Sequence, residues 1–163
     1  MLKILFVCTG NTCRSPMAES LLNAELSETS LPFNVEVSSA GLSAAAGEKA
    51  SEPVRKFFGA EHPGLNKHIS KQLDYDLIDD SDIILVMTSD HQRQLLARFP
   101  RAANKTFLLK EFADLTRDGV DLEDPASYGP EKYHQVLEEI RACVKKITLK
   151  LKEGSPHENS PGE

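Results

Sequence analysis

A six-residue run that is apolar except for Lys3, Leu2–Val7, ends at a loop of small and polar residues, and a helix signal follows that loop. The run contains Leu, Ile, Phe and Val, which is typical of a buried strand. Ser15 and Pro16 indicate a helix start, because serine is a good N-cap and proline suits the first helical position. We therefore expect a helix over 17–28. This order restricts the beginning of the chain to a strand–loop–helix unit.

The rest of the chain repeats the alternation of strand and helix signals. Further strands are predicted over 33–39, 82–87 and 105–109. Helices are predicted over 51–58, 74–80 and 89–98, the last capped by Ser89, with a short helix or turn over 110–115. A long final helix carries apolar residues at helical spacing from Tyr133 to Leu151, and Cys143 falls among them as a core or flanking thiol. Alternating units of this length predict an α/β fold built on a doubly wound parallel sheet.

Length and composition limit the remaining possibilities. At 163 residues with a net charge of −6, we expect a single domain over 1–152 that does not bind nucleic acid through a basic surface. Residues 153–163 are rich in Gly, Ser, Pro and Glu, which predicts a disordered tail. Neither a membrane-length apolar run nor a signal-peptide pattern is present, and three irregularly spaced cysteines indicate a reducing cytoplasm. No feature sets the oligomeric state, and a monomer is our working expectation.

The loop after the first strand contains a cysteine and an arginine six positions apart, Cys8 and Arg14. Backbone N–H groups of such a loop, together with the positive end of the following helix, can surround a tetrahedral oxyanion. An arginine grips two oxygens at once, and the same positive field favours the thiolate, which is a nucleophile. The alternative is a packing role for Cys8, since cysteine is often buried. The strand–loop–helix context favours phosphate chemistry.

A second loop, 117–130, is rich in carboxylates and includes Asp124 followed by Pro125 just ahead of the final helix. One interpretation is that these acids are solvated and cap that helix. The other is that one carboxyl protonates a leaving group while Cys8 attacks phosphorus, with Pro125 holding Asp124 extended. Spacing alone does not decide between the two.

The segment over 8–19 resembles the signature loop of the low-molecular-weight protein tyrosine phosphatase family. The resemblance continues through Ser39-Ala40-Gly41, the strand over 82–87 and the pair Asp124-Pro125, and it covers 1–152. It implies four parallel strands flanked by helices on both faces, no metal and no cofactor. It also implies phosphorylated protein substrates. Carried over by position, Cys8 is the nucleophile, Arg14 holds the phosphoryl group and Asp124 is the general acid.

The same resemblance gives the other loop residues their expected roles. The phosphate-binding loop comprises Thr9, Gly10, Asn11, Thr12, Cys13, Arg14 and Ser15. Asn11 is expected to shape it from a left-handed backbone conformation, and Ser15 to donate a hydrogen bond to the thiolate. Ser39 and His68 correspond to a supporting network behind Asn11. Cys13 is expected to form a reversible disulfide with Cys8 that protects it from over-oxidation, although a small buried thiol is the alternative.

Thr12 bears on the substrate. Tyrosine-specific members of the family usually have isoleucine at this position, whereas bacterial protein-arginine phosphatases have threonine. A hydroxyl can hydrogen-bond a guanidinium group, and Asp124 can pair with its charge. Ala126, however, departs from the aromatic residue that arginine phosphatases tend to have after the Asp-Pro pair. The sequence therefore favours phosphoarginine and leaves phosphotyrosine as the alternative.

Two further classes are disfavoured by the residues present. Thioredoxin-coupled arsenate reductases have a similar loop but relay electrons through cysteines near the end of the third strand, where this chain has none in 85–90. A non-catalytic phosphate-binding module would not require Cys8, Arg14, Ser15 and Asp124 together. A metal site formed by Cys8, Cys13 and His68 would lack a fourth ligand.

Overall fold

A computed structural model describes residues 1–154. It contains one sheet of four parallel strands in the order β2-β1-β3-β4. The strands are β1 (Leu2–Cys8), β2 (Val35–Gly41), β3 (Ile83–Val86) and β4 (Thr106–Leu108). The predicted four-stranded α/β fold is confirmed. The predicted tail falls mostly on 155–163, outside the described residues.

Seven α-helices connect and cover these strands in the described part of the chain. They are α1 (Arg14–Ser27), α2 (Glu52–Phe58), α3 (Gly64–Lys67), α4 (Tyr75–Asp80), α5 (Ser89–Arg98), α6 (Leu109–Phe112) and α7 (Pro130–Glu153). Two 3₁₀ segments, Pro100–Lys105 and Pro125–Ser127, complete the elements. No helix in residues 1–154 is long and apolar enough to span a bilayer.

The apolar strands are buried because both faces of the sheet are covered. Alternate side chains of β1 enter different clusters: Ile4 and Phe6 pack with residues of α1 and α7, whereas Leu5 and Val7 pack with residues of α5. A strand that is covered on both sides has no polar face, so it reads as a continuous apolar run. Cys143 of α7 is buried in the first cluster, and burial raises the pKa of its thiol to about 11. It is therefore a core thiol.

The start of α1 differs from the sequence prediction. The helix begins at Arg14 with Cys13 at the N-cap position and no side-chain cap, so the assignment of Ser15 as N-cap and Pro16 as first helical residue is wrong. The Ser15 side chain instead bonds to groups of the preceding loop. Pro16 remains compatible with the helix because N–H groups of the first turn have no intrahelical partner.

Other boundaries shift by one or two residues. Thr88, not Ser89, caps α5, because the Thr88 hydroxyl accepts a hydrogen bond from the backbone N–H of His91. Strand β2 lies two residues later than predicted and reaches Gly41, which pairs with Cys8 at the end of β1. The segment between the helices predicted over 51–58 and 74–80 contains the additional short helix α3.

Candidate active site

The loop from Cys8 to Arg14 connects the carboxyl end of β1 to the N-terminus of α1. Ligands of open α/β sheets bind at this edge. Cys8 is the last residue of its strand and is 3% exposed, and its Sγ atom lies 2.9 Å from Ser15 Oγ. The positive end of α1, which is 14 residues long, faces the same loop and favours an anion there.

Asn11 organises the interior of the loop. It is fully buried and has a φ of 56°, in the left-handed region. Its Oδ1 accepts a hydrogen bond from the backbone N–H of Lys71, which leaves Nδ2 to donate to Ser15 Oγ at 2.8 Å and to Ser39 Oγ at 3.0 Å. Because Ser15 Oγ accepts from Asn11, its own proton is available to Cys8 Sγ.

A second set of contacts holds Asn11 from behind. His68 Nε2 lies 2.7 Å from the Asn11 carbonyl oxygen, which only accepts, so Nε2 is the donor. His68 Nδ1 lies 3.8 Å from Glu19 Oε2, and the same carboxylate oxygen accepts a hydrogen bond of 2.6 Å from Ser39 Oγ. The structure therefore brings Ser39 and His68 together around Asn11. Glu19 of α1 joins them through its contacts with both side chains.

Arg14 connects this loop to the distant carboxylate-rich loop. The arginine is 5% exposed, and its Nη1 donates a hydrogen bond of 2.9 Å to the Leu122 carbonyl. Its Nη2 lies 3.9 Å from Asp124 Oδ2. Asp124 is extended, with φ −74° and ψ 119°, and its side chain is 56% exposed. The structure therefore places Asp124 at the mouth of the loop that holds Cys8.

The acids of the second loop have separate contacts, and none caps α7. The N-cap of α7 is Gly129, without a side-chain cap. Asp121 Oδ1 accepts from the backbone N–H and the hydroxyl of Ser89, at 2.8 and 3.0 Å. Glu123 pairs with Lys132 at 2.8 Å. The helix-capping interpretation of these acids is therefore wrong.

Gly41 lies directly against the loop from Cys8 to Arg14. A Cβ atom at this position would lie 2.6 Å from the Thr9 carbonyl oxygen and 3.0 Å from the Asn11 nitrogen. Backbone atoms cannot give way as a flexible side chain can, so the end of β2 requires glycine for the loop to close. The loop is thus shaped from outside by β2 as well as from inside by Asn11.

Cys13 lies in the same loop and is reduced, as is Cys8. Burial is the main cause that raises the pKa of the Cys13 thiol to about 12, and the charges of Cys8 and Asp124 add to it. Burial also raises the pKa of Tyr133 at the start of α7, with smaller contributions from Cys13 and Asp124. Cys13 is therefore a neutral thiol near neutral pH.

Thr12 and Gly10 lie at the surface side of the loop. Thr12 is half-buried, and its carbonyl accepts a hydrogen bond of 2.8 Å from the backbone N–H of Ser51, just before α2. The Thr12 hydroxyl lies 3.7 Å from the position that a Cβ atom on Gly10 would occupy. Thr12 also lines an open groove that contains the carboxylates of Glu48 and Glu52.

His91 is a site residue that the sequence analysis did not identify. It lies in the first turn of α5, is 4% exposed, and its Nε2 is 2.8 Å from Thr9 Oγ1. Burial, and secondly the positive charge of Arg14, lowers the pKa of His91 to about 4. The two residues are 82 positions apart, and no local pattern predicts such a contact.

Comparison with known proteins agrees with this geometry. The chain belongs to the low molecular weight phosphotyrosine protein phosphatase family, whose family model matches residues 3–156. It is 43% identical to a protein-arginine-phosphatase of Geobacillus stearothermophilus, over 91% of this chain and 95% of that protein. It is 32% identical to the low molecular weight protein-tyrosine-phosphatase Ptp of Acinetobacter johnsonii, over 86% and 92%.

A solved structure of an arginine phosphatase has the same fold as this chain. The YwlE arginine phosphatase, as a cysteine-to-serine variant with a phosphorylated active-site serine, superposes with a TM-score of 0.85 and 34% identity, covering 93% of this chain and 97% of that chain. This chain is therefore an enzyme of the low-molecular-weight protein phosphatase class. In the related structure, the residue that replaces a cysteine carries the phosphoryl group.

Proposed function

We propose that the enzyme removes phosphoryl groups from arginine side chains of proteins through a cysteinyl-phosphate intermediate. The observation that carries the proposal is the loop from Cys8 to Arg14, with Thr12 at its surface and Asp124 at its mouth. The relative at 43% identity is a protein-arginine-phosphatase, and a tyrosine phosphatase matches at 32%. Phosphotyrosine is the alternative substrate.

The first chemical step is phosphoryl transfer to the enzyme. The Cys8 thiolate attacks phosphorus in line, so that a P–S bond forms while the bond to the leaving nitrogen or oxygen breaks. The leaving atom keeps that electron pair and takes a proton from Asp124. Arg14 and the loop N–H groups stabilise the charge on the phosphoryl oxygens. One side of the Arg14 guanidinium is already fixed by Leu122, which reduces the ordering required when substrate binds.

The second step is hydrolysis of the intermediate. Asp124, now a carboxylate, takes a proton from water as the water oxygen attacks phosphorus. The P–S bond breaks, and its electron pair returns to Cys8 as the thiolate. The Ser15 hydroxyl, 2.9 Å from the sulfur, stabilises the thiolate as nucleophile in the first step and as leaving group in the second.

Preference for phosphoarginine is assigned to Thr12 and Asp124. The guanidinium of phosphoarginine has N–H donors, for which a threonine hydroxyl is an acceptor and an isoleucine side chain offers none. Asp124, whose side chain is 56% exposed, also offers a carboxyl oxygen that can accept a hydrogen bond from these N–H groups. Ala126 and Ser127 directly follow the Asp-Pro pair, so neither position supplies an aromatic ring that would pack against a phenol.

The test is a parallel turnover assay on phosphoarginine and phosphotyrosine peptides of the same sequence, with wild type and Thr12→Ile. We expect the wild type to prefer phosphoarginine and Thr12→Ile to lose most of that preference. Thr29→Ile, the same change beyond the far end of α1, is the matched control and should leave the ratio of the two kcat/KM values unchanged. A wild-type preference for phosphotyrosine that Thr12→Ile does not alter would contradict the proposal.

We also propose that Cys13 protects the nucleophile. A peroxide would oxidise the Cys8 thiolate to a sulfenic acid, transferring one oxygen and releasing hydroxide. Attack by Cys13 sulfur would then form the disulfide and release water. Both thiols belong to the same loop, and neither is in a disulfide in the structure.

A further inference from the structure

The pair formed by Thr9 and His91 is not used by the reaction steps above. His91 comes from α5, on the opposite side of the sheet from α1 and α7, yet its ring lies against the first residue after the nucleophile. A histidine that is 4% exposed and lies beside the catalytic loop has a restricted set of hydrogen bonds. Its tautomer can therefore be derived from its surroundings.

One ring nitrogen of His91 is without a partner. Among the described residues, Nδ1 is buried and forms no hydrogen bond, while Nε2 contacts Thr9 Oγ1 at 2.8 Å. A buried N–H group without an acceptor is rarer in proteins than a buried lone pair without a donor. Nδ1 is thus the bare nitrogen and Nε2 carries the proton. Burial and the nearby Arg14 charge keep the ring neutral near pH 7.

This tautomer determines what the Thr9 hydroxyl can do. With Nε2–H donating to it, Thr9 Oγ1 is an acceptor toward His91, and its own proton must point to another acceptor. Thr9 is exposed and directly follows Cys8 in the chain. A phosphoryl group bound in that loop would present negatively charged oxygens, which are strong acceptors.

We propose that His91 is a positioning residue that holds the Thr9 hydroxyl as a hydrogen-bond donor to a phosphoryl oxygen of the substrate. This inference rests on the proposed phosphatase site, and it adds one donor to those supplied by Arg14 and the loop backbone. The opposite tautomer would make Thr9 donate to His91 and leave only lone pairs toward the substrate, which would repel the phosphoryl oxygens. The arrangement thus couples α5 to phosphate binding.

The first experiment is a double-mutant cycle on phosphate binding. Thr9→Val removes the hydroxyl at constant shape, and His91→Phe removes the ring nitrogens. Both are combined with Cys8→Ser so that calorimetry measures inorganic phosphate without chemistry. We expect each change to weaken binding by about three- to tenfold, as for one lost hydrogen bond. The double variant should be no weaker than either alone, because His91 acts only through Thr9. Independent, multiplying losses would overturn the proposal.

A conservative variant separates positioning from packing. His91→Gln places an amide N–H at about the reach of Nε2 and should recover most of the affinity lost in His91→Phe, whereas a packing role predicts no such recovery. Equal losses in the two variants would overturn the proposal. In the enzyme with Cys8 intact, Thr9→Val and His91→Phe should raise KM for an aryl phosphate more than they lower kcat.

A measurement on the unaltered protein does not depend on any variant folding. Nitrogen-15 correlation spectra of labelled wild type distinguish protonated from bare ring nitrogens, and we expect the His91 proton on Nε2. A proton on Nδ1 would overturn the proposal. If the proposed phosphatase function were wrong, the wild-type enzyme would hydrolyse no aryl phosphate. That result differs from a proton on Nδ1, which would contradict only the His91 assignment.

Discussion

Arg14 Nη1 donates a 2.9 Å hydrogen bond to the carbonyl oxygen of Leu122, 108 positions further along the chain. Leu122 is fully buried, and its own N–H donates to the carbonyl of Met87 just beyond β3. This one contact fixes the arginine of the first loop and the backbone two residues before Asp124. The spatial relation between Arg14 and Asp124 is therefore set by hydrogen bonds to and from the buried backbone of Leu122.

Asp124→Asn should separate binding from catalysis. The amide retains the oxygen that accepts from the backbone N–H of Ala126 but cannot donate a proton to the leaving group. We expect kcat to fall about 10²–10⁴-fold, while calorimetry shows phosphate affinity nearly unchanged. Glu123→Gln, which affects a carboxylate bound to Lys132, is the control and should keep most of the activity. Unchanged turnover in Asp124→Asn would rule out the general acid role.

Asp121→Ala should loosen the loop that carries Asp124. The substitution removes the acceptor of two hydrogen bonds from Ser89, so we expect a loss of about 1–2 kcal/mol in the free energy of unfolding and a severalfold lower kcat. Urea unfolding and steady-state kinetics measure the two effects. Asp118→Ala, an exposed acid of the same loop, should change neither. If the two variants behave alike, Asp121 does not anchor the loop.

Gly41→Ala should distort the catalytic loop from the β2 side. Its new methyl group would lie 2.6 Å from the Thr9 carbonyl oxygen and 3.0 Å from the Asn11 nitrogen, so the loop must move. We expect kcat/KM for an aryl phosphate to fall at least about tenfold, because small displacements of a preorganised site are costly. Gly129→Ala meets nothing within 4 Å and should retain wild-type kinetics. Wild-type activity in Gly41→Ala would show that the loop tolerates displacement.

Cys13→Ser should make oxidative inactivation less reversible. Without a second thiol in the loop, a Cys8 sulfenic acid can proceed to the sulfinic acid, which thiol reductants do not reverse. We therefore expect less activity to return in Cys13→Ser than in wild type after peroxide and then dithiothreitol. Because the pKa of Cys13 is about 12, protection in wild type should increase with pH as more thiolate forms. Cys143→Ala is the control and should recover like wild type.

His91 should make stability depend on pH in a predictable direction. Burial lowers its pKa from 6.5 to about 4, so the unfolded chain binds a proton on this side chain at a higher pH than the folded protein does. Acidification therefore favours unfolding as pH falls from about 6.5 to 4, with a loss of about 2 kcal/mol by about pH 5. His91→Phe should lack this part of the loss. The free energy of unfolding in urea is measured for both proteins at several pH values in this range. An equal decrease with falling pH in the two proteins would contradict the assignment.

The sequence predicted which helices and strands form more accurately than it predicted the residue at which each one begins. Continuous apolar runs gave the two central strands, β1 and β3, because both faces of the sheet are covered there. Serine and proline placed the start of α1 two or three residues too late, because the Ser15 hydroxyl is engaged by Asn11 and Cys8 in the loop. At α5 the neighbouring hydroxyls of Thr88 and Ser89 are both plausible caps, and Asp121 engages Ser89. In both cases a hydrogen bond outside the helix engages the serine: within the loop for Ser15, and with the distant Asp121 for Ser89.

The sequence by itself determined the α/β architecture and the loop from Cys8 to Arg14, since both depend on residues adjacent in the chain. The resemblance of that loop to a known family also directed attention to Asp124. Only the tertiary structure decided which distant groups meet there: Leu122 on Arg14, Glu19 beside His68, and His91 on Thr9. These contacts form because parallel strands bring the loops at their carboxyl ends to one edge of the sheet. A local sequence pattern does not predict which residues of those loops will meet.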